Sequence, residues 1–233
     1  HAEGAHIILE PVARNTAPAI GLAVQFCEEK LGCEGREPLV VAAADHVIRP
    51  QDVFTACIAE AAEVVQQGDG SLVTFGIPAK SPETGYGYIE AGASDGKSFV
   101  VESFKEKPDL ATAERYVAAG NYYWNSGMFC FQAGRLLEEM AHHAPDVATT
   151  VHACWQALKA QPNTTGHMLE IPAQAFAQVP DISIDYAVME RSKHVAVVPS
   201  DFGWSSWKAG RYWYDVDIPA QDGVDDAITL HGL

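Results

Sequence analysis

Six consecutive apolar residues, Leu39-Val40-Val41-Ala42-Ala43-Ala44, stand between Pro38 and the polar pair Asp45-His46. The run is too short for a helix, and it lacks the alternation of a strand that wets one face. It therefore reads as a strand buried on both sides, which calls for a sheet covered by helices on each face, as in a parallel α/β sheet. A chain of 233 residues with 48% hydrophobic content can build such a core.

The neighbouring segments supply the other parts. His6 to Glu10 reads as a short buried strand closed by Pro11. Asn15 or Thr16 can cap a helix with Pro18 in its first turn, along which Ile20, Ala23, Cys27 and Leu31 recur until Gly32. A second helix opens at Pro50 and Asp52, carries Phe54, Cys57, Ile58, Ala61 and Val65 on one face, and ends near Gly68. Ser71 to Ile77 and Phe99 to Phe104 are the next strands, separated by a segment whose first part, Pro78 to Ile89, is too rich in glycine and proline for regular structure. Asp109 caps a helix running to Gly120. A strand over Met128 to Gln132, helices around Leu136 to His143 and Val147 to Ala160, a short helix over Ile182 to Glu190 and a late strand from His194 to Pro199 complete the pattern. Strands alternating with helices predict an α/β fold with a largely parallel sheet. That architecture does not specify a reaction.

Chemistry-bearing residues gather at the expected ends of these elements. The strand from Phe99 runs into Lys105-Glu106-Lys107 and stops at Pro108, so an acid between two lysines stands at a strand's carboxyl end, where open α/β sheets bind ligands. A carboxylate there suits hydroxyls and a lysine suits a phosphate; the same residues also make an ordinary solvated strand end. Arg14-Asn15-Thr16 precede a helix N-terminus, whose free N–H groups can hold a nucleotide base or phosphate or can simply be capped. Asp45 after the buried run is placed to bind Mg²⁺ or to start a turn. Gly85 and Gly87 permit either a close backbone approach to a ligand or a turn.

Other classes are disfavoured. A formal charge of −16 repels a nucleic-acid backbone, so polymeric DNA or RNA is an unsuited partner, whereas a phosphorylated small molecule needs only a few placed cations or a divalent metal. No apolar run reaches the roughly 18 residues of a membrane span and no basic-then-apolar leader opens the chain, so a soluble, unexported, cytoplasmic protein without a membrane partner is expected. Five cysteines without a C-x-x-C pair read as small core residues, and nine scattered histidines lack zinc-ligand spacing. No G-x-G-x-x-G follows a strand, against a dehydrogenase.

Several blocks together carry a resemblance: Ile8-Leu9-Glu10-Pro11 with Arg14-Asn15-Thr16-Ala17-Pro18-Ala19-Ile20, then Ala44-Asp45-His46-Val47-Ile48, Thr84-Gly85-Tyr86-Gly87-Tyr88-Ile89, Phe104-Lys105-Glu106-Lys107-Pro108, Tyr123-Trp124-Asn125-Ser126-Gly127-Met128-Phe129 and Ser183-Ile184-Asp185-Tyr186-Ala187-Val188-Met189-Glu190. In this order and spacing they resemble the bacterial mannose-1-phosphate guanylyltransferases, from about Ile7 to Trp204. The resemblance implies a Rossmann-like nucleotide-diphospho-sugar transferase fold, with a mostly parallel mixed sheet flanked by helices. It also implies the reaction of GTP with mannose 1-phosphate to give GDP-mannose and pyrophosphate, with Mg²⁺. It places Arg14, Asn15 and Thr16 near the guanine nucleotide, makes Asp45 a metal ligand, lays Gly87 against the sugar, and gives Glu106 the sugar hydroxyls and Lys107 the sugar phosphate. Asn125 then lines the mannose pocket, with Asp185 at its edge. Lys107 and Asp45 are the residues expected to carry the chemistry.

Two features depart from the family pattern. The family's opening loop, G-G-x-G-T-R-L-x-P-L-S-R, has no counterpart here, and Gly203-Trp204-Ser205-Ser206-Trp207 lacks the Asp-Val-Gly that supplies a second metal carboxylate. The expectation is that these residues are part of a longer natural polypeptide, with residues 1–207 forming the nucleotidyltransferase domain and 208–233 left unassigned. A homodimer is the default for an enzyme of this size. The alternatives are a nucleotidylyltransferase for another sugar 1-phosphate, or a non-catalytic subunit that binds a sugar nucleotide and regulates.

Overall fold

The structure is a computed structural model and describes residues 5–33, 35–43, 46–67, 70–161, 167–206 and 228–232. Its elements in order are β1 (Ile7–Leu9), α1 (Thr16–Lys30), β2 (Pro38–Ala43), β3 (His46–Val47), α2 (Gln51–Gln67), β4 (Leu72–Pro78), β5 (Tyr88–Ser94), β6 (Phe99–Lys105), α3 (Leu110–Ala119) and β7 (Tyr122–Gln132). There follow α4 (Ala133–His143), α5 (Pro145–Lys159), β8 (Met168–Glu170), α6 (Ala173–Phe176), a π-helical turn (Asp185–Met189), β9 (Val195–Pro199), β10 (Ser205–Ser206) and β11 (Ile228–Gly232).

A seven-stranded sheet, ordered β11-β2-β7-β4-β9-β6-β5, carries the molecule. The apolar run of β2 is buried from both sides: Leu39 and Val41 enter a core with α1, α4 and α5, while Val40 enters a second core with α2. The same alternation holds on β7, where Phe129 and Phe131 face the first core and Met128 and Cys130 the second. Helices thus cover both faces, as the sequence requires.

The sheet is mixed and flanked by helices as expected, but its neighbouring strands are mostly antiparallel rather than mostly parallel. Strands β2, β4 and β9 do run the same way, but only β4 and β9 are parallel neighbours in the central sheet. The long strand β7 lies between β2 and β4 and is antiparallel to both. Burial on two faces, which is all that an apolar run reports, is satisfied equally well by an antiparallel neighbour. The hairpin of β5 and β6 adds a further antiparallel pair, and β5 also pairs with the start of β7, so the strands β7, β4, β9, β6 and β5 close on one another.

Three local expectations also change. β1 is not a buried sheet strand; it pairs only with β8, in parallel, and Ile7 and Leu9 remain exposed. The strand expected to start at Met128 starts at Tyr122 and takes Asn125-Ser126-Gly127 into itself as an irregularity, with Gly127 at a positive φ of 72° and a shift in register against β4. The segment Ile182 to Glu190 holds a single π-helical turn. By contrast α1 and α3 start as read. The Asn15 side chain accepts from Thr16 N, Asp109 accepts from Thr112 N at 2.7 Å, and Gly120 closes α3 in the left-handed region.

Candidate functional site

The site is built where β6 ends, β5 begins and β7 is irregular. Asn125 on β7 donates its backbone N–H to the carbonyl of Gly87 at 2.8 Å, which draws the glycine loop against the strand. A side chain at Gly87 would not fit: a Cβ there would stand 2.5 Å from Glu106 Oε2 and 3.2 Å from Asn125 Cβ. This glycine therefore serves close approach of the Glu106 carboxylate.

Lys107 follows Glu106 with φ 45°, in the left-handed region that costs a non-glycine residue on the order of 1 to 2 kcal/mol. The bend brings Lys107 Nζ to 2.9 Å from Glu106 Oε1. That hydrogen bond raises the lysine's pKa above its ordinary value, and the nearby charges of Glu106, Tyr186 and Asp185 act in the same direction against partial burial. Lys107 is thus a protonated cation with an exposed side chain, held by an acid whose own side chain is largely covered.

Asn125 is buried and connects this pair to the π-helical turn. Its Nδ2 donates to Asp185 Oδ1 at 2.9 Å, while its Oδ1 accepts from Thr74 Oγ1 and from Gly127 N, each at 3.1 Å. Burial pushes the Asp185 carboxyl up to about 6, and the neighbouring Glu106 and Glu190 push the same way, against the hydrogen bond from Asn125. Burial also raises Glu190, opposed by the backbone N–H of Glu106 and the charge of Lys105. Three carboxylates and one exposed lysine therefore share a small volume lined by a glycine backbone. Such a set accepts hydrogen bonds from hydroxyl groups and offers one cation to an anion.

Of the residues singled out from the sequence, Gly87, Glu106, Lys107, Asn125 and Asp185 come together here. The three at the start of α1 are engaged otherwise. Asn15 caps its own helix, and Arg14 donates to the carbonyl of Ala177 at 3.3 Å. Thr16 Oγ1 accepts from Ile184 N at 2.9 Å, so the α1 N-terminus anchors the residue before Asp185. Asp45 lies outside the described residues. Two open grooves, of about 390 and 650 Å³, are lined by none of the site residues.

Sequence reasoning assigns no role to Thr74 or Glu190, and it misses an aromatic wall. Trp204 Nε1 donates to His46 Nδ1 at 3.2 Å, and Tyr86 packs edge-on against both Trp124 and Trp204, at centroid distances of 5.4 and 5.2 Å. The ring of His46 also approaches Gly127, which joins this wall to the irregular part of β7. The pairing of β3 with β10 brings His46 and Trp204 together, and that of β5 with β7 brings Tyr86 near Trp124.

The nucleotidyl transferase family model matches residues 4–217. The chain belongs to that family. It is 46% identical over 222 residues to the xanthan biosynthesis protein XanB of Xanthomonas campestris pv. campestris (strain B100), an alignment covering 95% of this chain and 45% of that protein. It is likewise 46% identical over 213 residues to the mannose-1-phosphate guanylyltransferase of Escherichia coli (strain K12), covering 88% of this chain and 43% of the relative. A crystal structure of a mannose-6-phosphate isomerase from Helicobacter pylori superposes with a TM-score of 0.73 at 32% identity, over 85% of this chain and 73% of that one. The chain spans less than half the length of these curated relatives. Among the described residues no helix of this chain is long and apolar enough to cross a membrane.

Proposed function

We propose that this nucleotidyl transferase makes GDP-mannose and pyrophosphate from GTP and mannose 1-phosphate. The observation that carries the reading is the cluster of Gly87, Glu106, Lys107, Asn125 and Asp185, a set of acceptors around one cation that suits a sugar phosphate. The identity to a mannose-1-phosphate guanylyltransferase supports the choice of sugar and base.

Glu106 and Asp185 accept from the sugar hydroxyls, and Lys107 holds the sugar phosphate. A phosphate monoester is an anionic nucleophile near neutral pH, so no side chain has to remove a proton from it. One of its oxygens bonds to the α-phosphorus of GTP as the bond from that phosphorus to the β-bridging oxygen breaks, and pyrophosphate leaves with the electron pair. Positioning and charge neutralisation carry such a step. A divalent cation, in this reading Mg²⁺, neutralises the triphosphate when bound. Asp45 would hold it, a donor that fits an ion needing only one or two protein carboxylates beside substrate phosphates. Arg14, Asn15 and Thr16 flank the nucleotide side from the start of α1, where the N–H groups of Thr16 and Ala17 are already bonded to Asn15 Oδ1 and the Ile182 carbonyl. The transferase unit comprises residues 1–207 together with β11, which pairs with β2.

The test is pyrophosphate release by the complete protein with GTP, mannose 1-phosphate and Mg²⁺, each nucleotide and sugar phosphate being exchanged in turn. Turnover restricted to this pair supports the reading. Turnover with another sugar 1-phosphate would reassign the substrate, and binding of GDP-mannose without turnover would make the chain a regulatory subunit.

A further inference from the structure

The side-chain amide of Asn125 has a defined orientation, and the protein itself enforces it. Its Oδ1 faces Gly127 N–H, a group that can only donate, and its Nδ2 faces the Asp185 carboxylate, which accepts. The remaining contact is with Thr74, fully buried in the middle of β4. The single proton of its hydroxyl has two acceptors within reach, Asn125 Oδ1 at 3.1 Å and the carbonyl of Met128 at 3.4 Å, and the amide oxygen is the nearer. Nothing in the packing of β4 calls for a hydroxyl there. Its strand neighbours Val73 and Phe75 are apolar and fully buried, and valine differs from threonine only in carrying a methyl group in place of the hydroxyl.

We propose that Thr74 is a positioning residue for the sugar pocket, fixing the Asn125 amide so that its NH₂ group stays on Asp185 and both pocket carboxylates stay turned to the ligand as acceptors. This rests on the sugar-phosphate reading of the pocket. Thr74 touches no ligand in this arrangement. It acts through Asn125, as an outer hydroxyl often orients a contacting group. The consequence for recognition is specific. With one N–H of the Asn125 NH₂ held by Asp185, the second carboxylate oxygen of Asp185 and the Glu106 oxygen beside Gly87 remain as acceptors for a ligand, so the pocket suits ligands that donate through hydroxyls. Were the amide reversed, its carbonyl would face Asp185, two acceptors would repel, and Asp185 would take up a proton and change from acceptor to donor.

The charged and hydrogen-bonding groups that act on Asp185 are Glu106 and Lys107 at and just after the end of β6, Asn125 from β7, and Glu190 directly after its own turn, with Tyr186 beside Lys107. Thr74 stands behind Asn125, so replacing it changes the fixed donor to Asp185 and none of these charges.

The experiment compares the complete wild-type protein with Thr74→Val and Thr74→Ser. Thr74→Val should raise KM for mannose 1-phosphate about tenfold, leave KM for GTP within about twofold, and move the acidic limb of kcat/KM to higher pH; Thr74→Ser, which keeps the hydroxyl, should restore all three. A second reading is independent of turnover: the carboxyl ¹³C shift of Asp185, assigned by its absence in Asp185→Asn, should titrate at higher pH in Thr74→Val than in wild type. An unchanged Asp185 titration in Thr74→Val overturns the proposal, as does a KM rise that Thr74→Ser shares in full. If wild type releases no pyrophosphate, the proposed reaction fails, and the Asp185 titration still decides the role of Thr74.

Discussion

Lys107 and Asp185 carry opposite expectations for stability and activity. Lys107 is exposed, so its loss removes little packing, but it is a cation held against Glu106 at the cluster of acids. Lys107→Ala is expected to lower turnover roughly 100-fold to 1,000-fold, the scale of losing one preorganised charge stabiliser, with the urea midpoint nearly unchanged. A loss below about threefold in pyrophosphate release would remove Lys107 from the mechanism. Asp185 is a carboxyl whose folded pKa, about 6, lies above its ordinary value of 3.8. The folded state therefore holds this proton where the unfolded state has released it. The group is neutral toward stability below about pH 4, costs progressively more as pH rises through 6, and costs its full amount above that. The shift is worth on the order of 3 kcal/mol as an upper bound. Asp185→Asn should thus stabilise the protein at pH 7.5 while weakening sugar binding, and chemical denaturation at pH 4 and 7.5 should show the gain only at the higher pH. Gly87→Ala belongs with these: its methyl group would displace the Glu106 carboxylate, so a rise in KM for the sugar phosphate is expected with the fold intact, read from kinetics beside a thermal melt.

At the scale of elements, the π-helical turn that presents Asp185 hangs on the start of α1, through Ala17 N to the carbonyl of Ile182 at 3.1 Å and Ile184 N to Thr16 Oγ1 at 2.9 Å. Thr16→Val removes the second bond and leaves the Ile184 N–H without its partner. A loss of about 1 to 2 kcal/mol is expected, concentrated as faster amide hydrogen exchange over residues 184–189. Much of the element pattern was legible in the sequence, for reasons that differ by segment. Caps are local chemistry, and Asn15, Asp109 and Gly120 mark α1 and α3 as read. The apolar runs of β2, β4 and β9 announce burial on two faces but not the direction of the neighbour, which is why the antiparallel insertion of β7 stayed hidden. Asn125-Ser126-Gly127 has the composition of a turn, and only pairing on both sides keeps it in a strand. In Tyr88-Ile89-Glu90-Ala91-Gly92-Ala93-Ser94 the small residues give little strand propensity, so β5 emerges from its pairing with β6. The same division holds in the site. Glu106-Lys107 are adjacent in sequence and were readable together, whereas Thr74 reaches Asn125 only across two paired strands, and His46 meets Trp204 only across the pairing of β3 with β10.

Across the whole molecule, the sheet that separates the two cores is closed on one side by the pairing of β5 with β7 and ends on the other at β11. β11 pairs antiparallel with β2 over five residues, from Ile228 against Ala43 to Gly232 against Leu39. The described part of the segment after residue 207 is thus a strand of the same sheet. Its partner β2 is the strand that most constrained the fold, apolar throughout and inserted in both cores. Removal of β11 would leave the backbone donors and acceptors of β2 on that side without partners, beside apolar side chains, and a bare edge of this kind recruits strands from other molecules. A protein cut after Ser206 should therefore unfold at lower urea, by roughly 2 to 4 kcal/mol for a ladder of this length at about 1 kcal/mol per net hydrogen bond, and should form larger species in size-exclusion chromatography. A second variant separates edge protection from simple loss of contacts. Val40→Lys in the truncated protein would bury a charge in the core and cannot serve, whereas Thr229→Pro in the intact chain removes one donor from the β11 backbone and leaves the rest of the chain in place. If the truncated protein aggregates and Thr229→Pro lowers stability by a smaller amount in the same direction, β11 is an integral strand of the transferase unit. Equal urea midpoints for the intact and truncated proteins would instead place the boundary of that unit before β11.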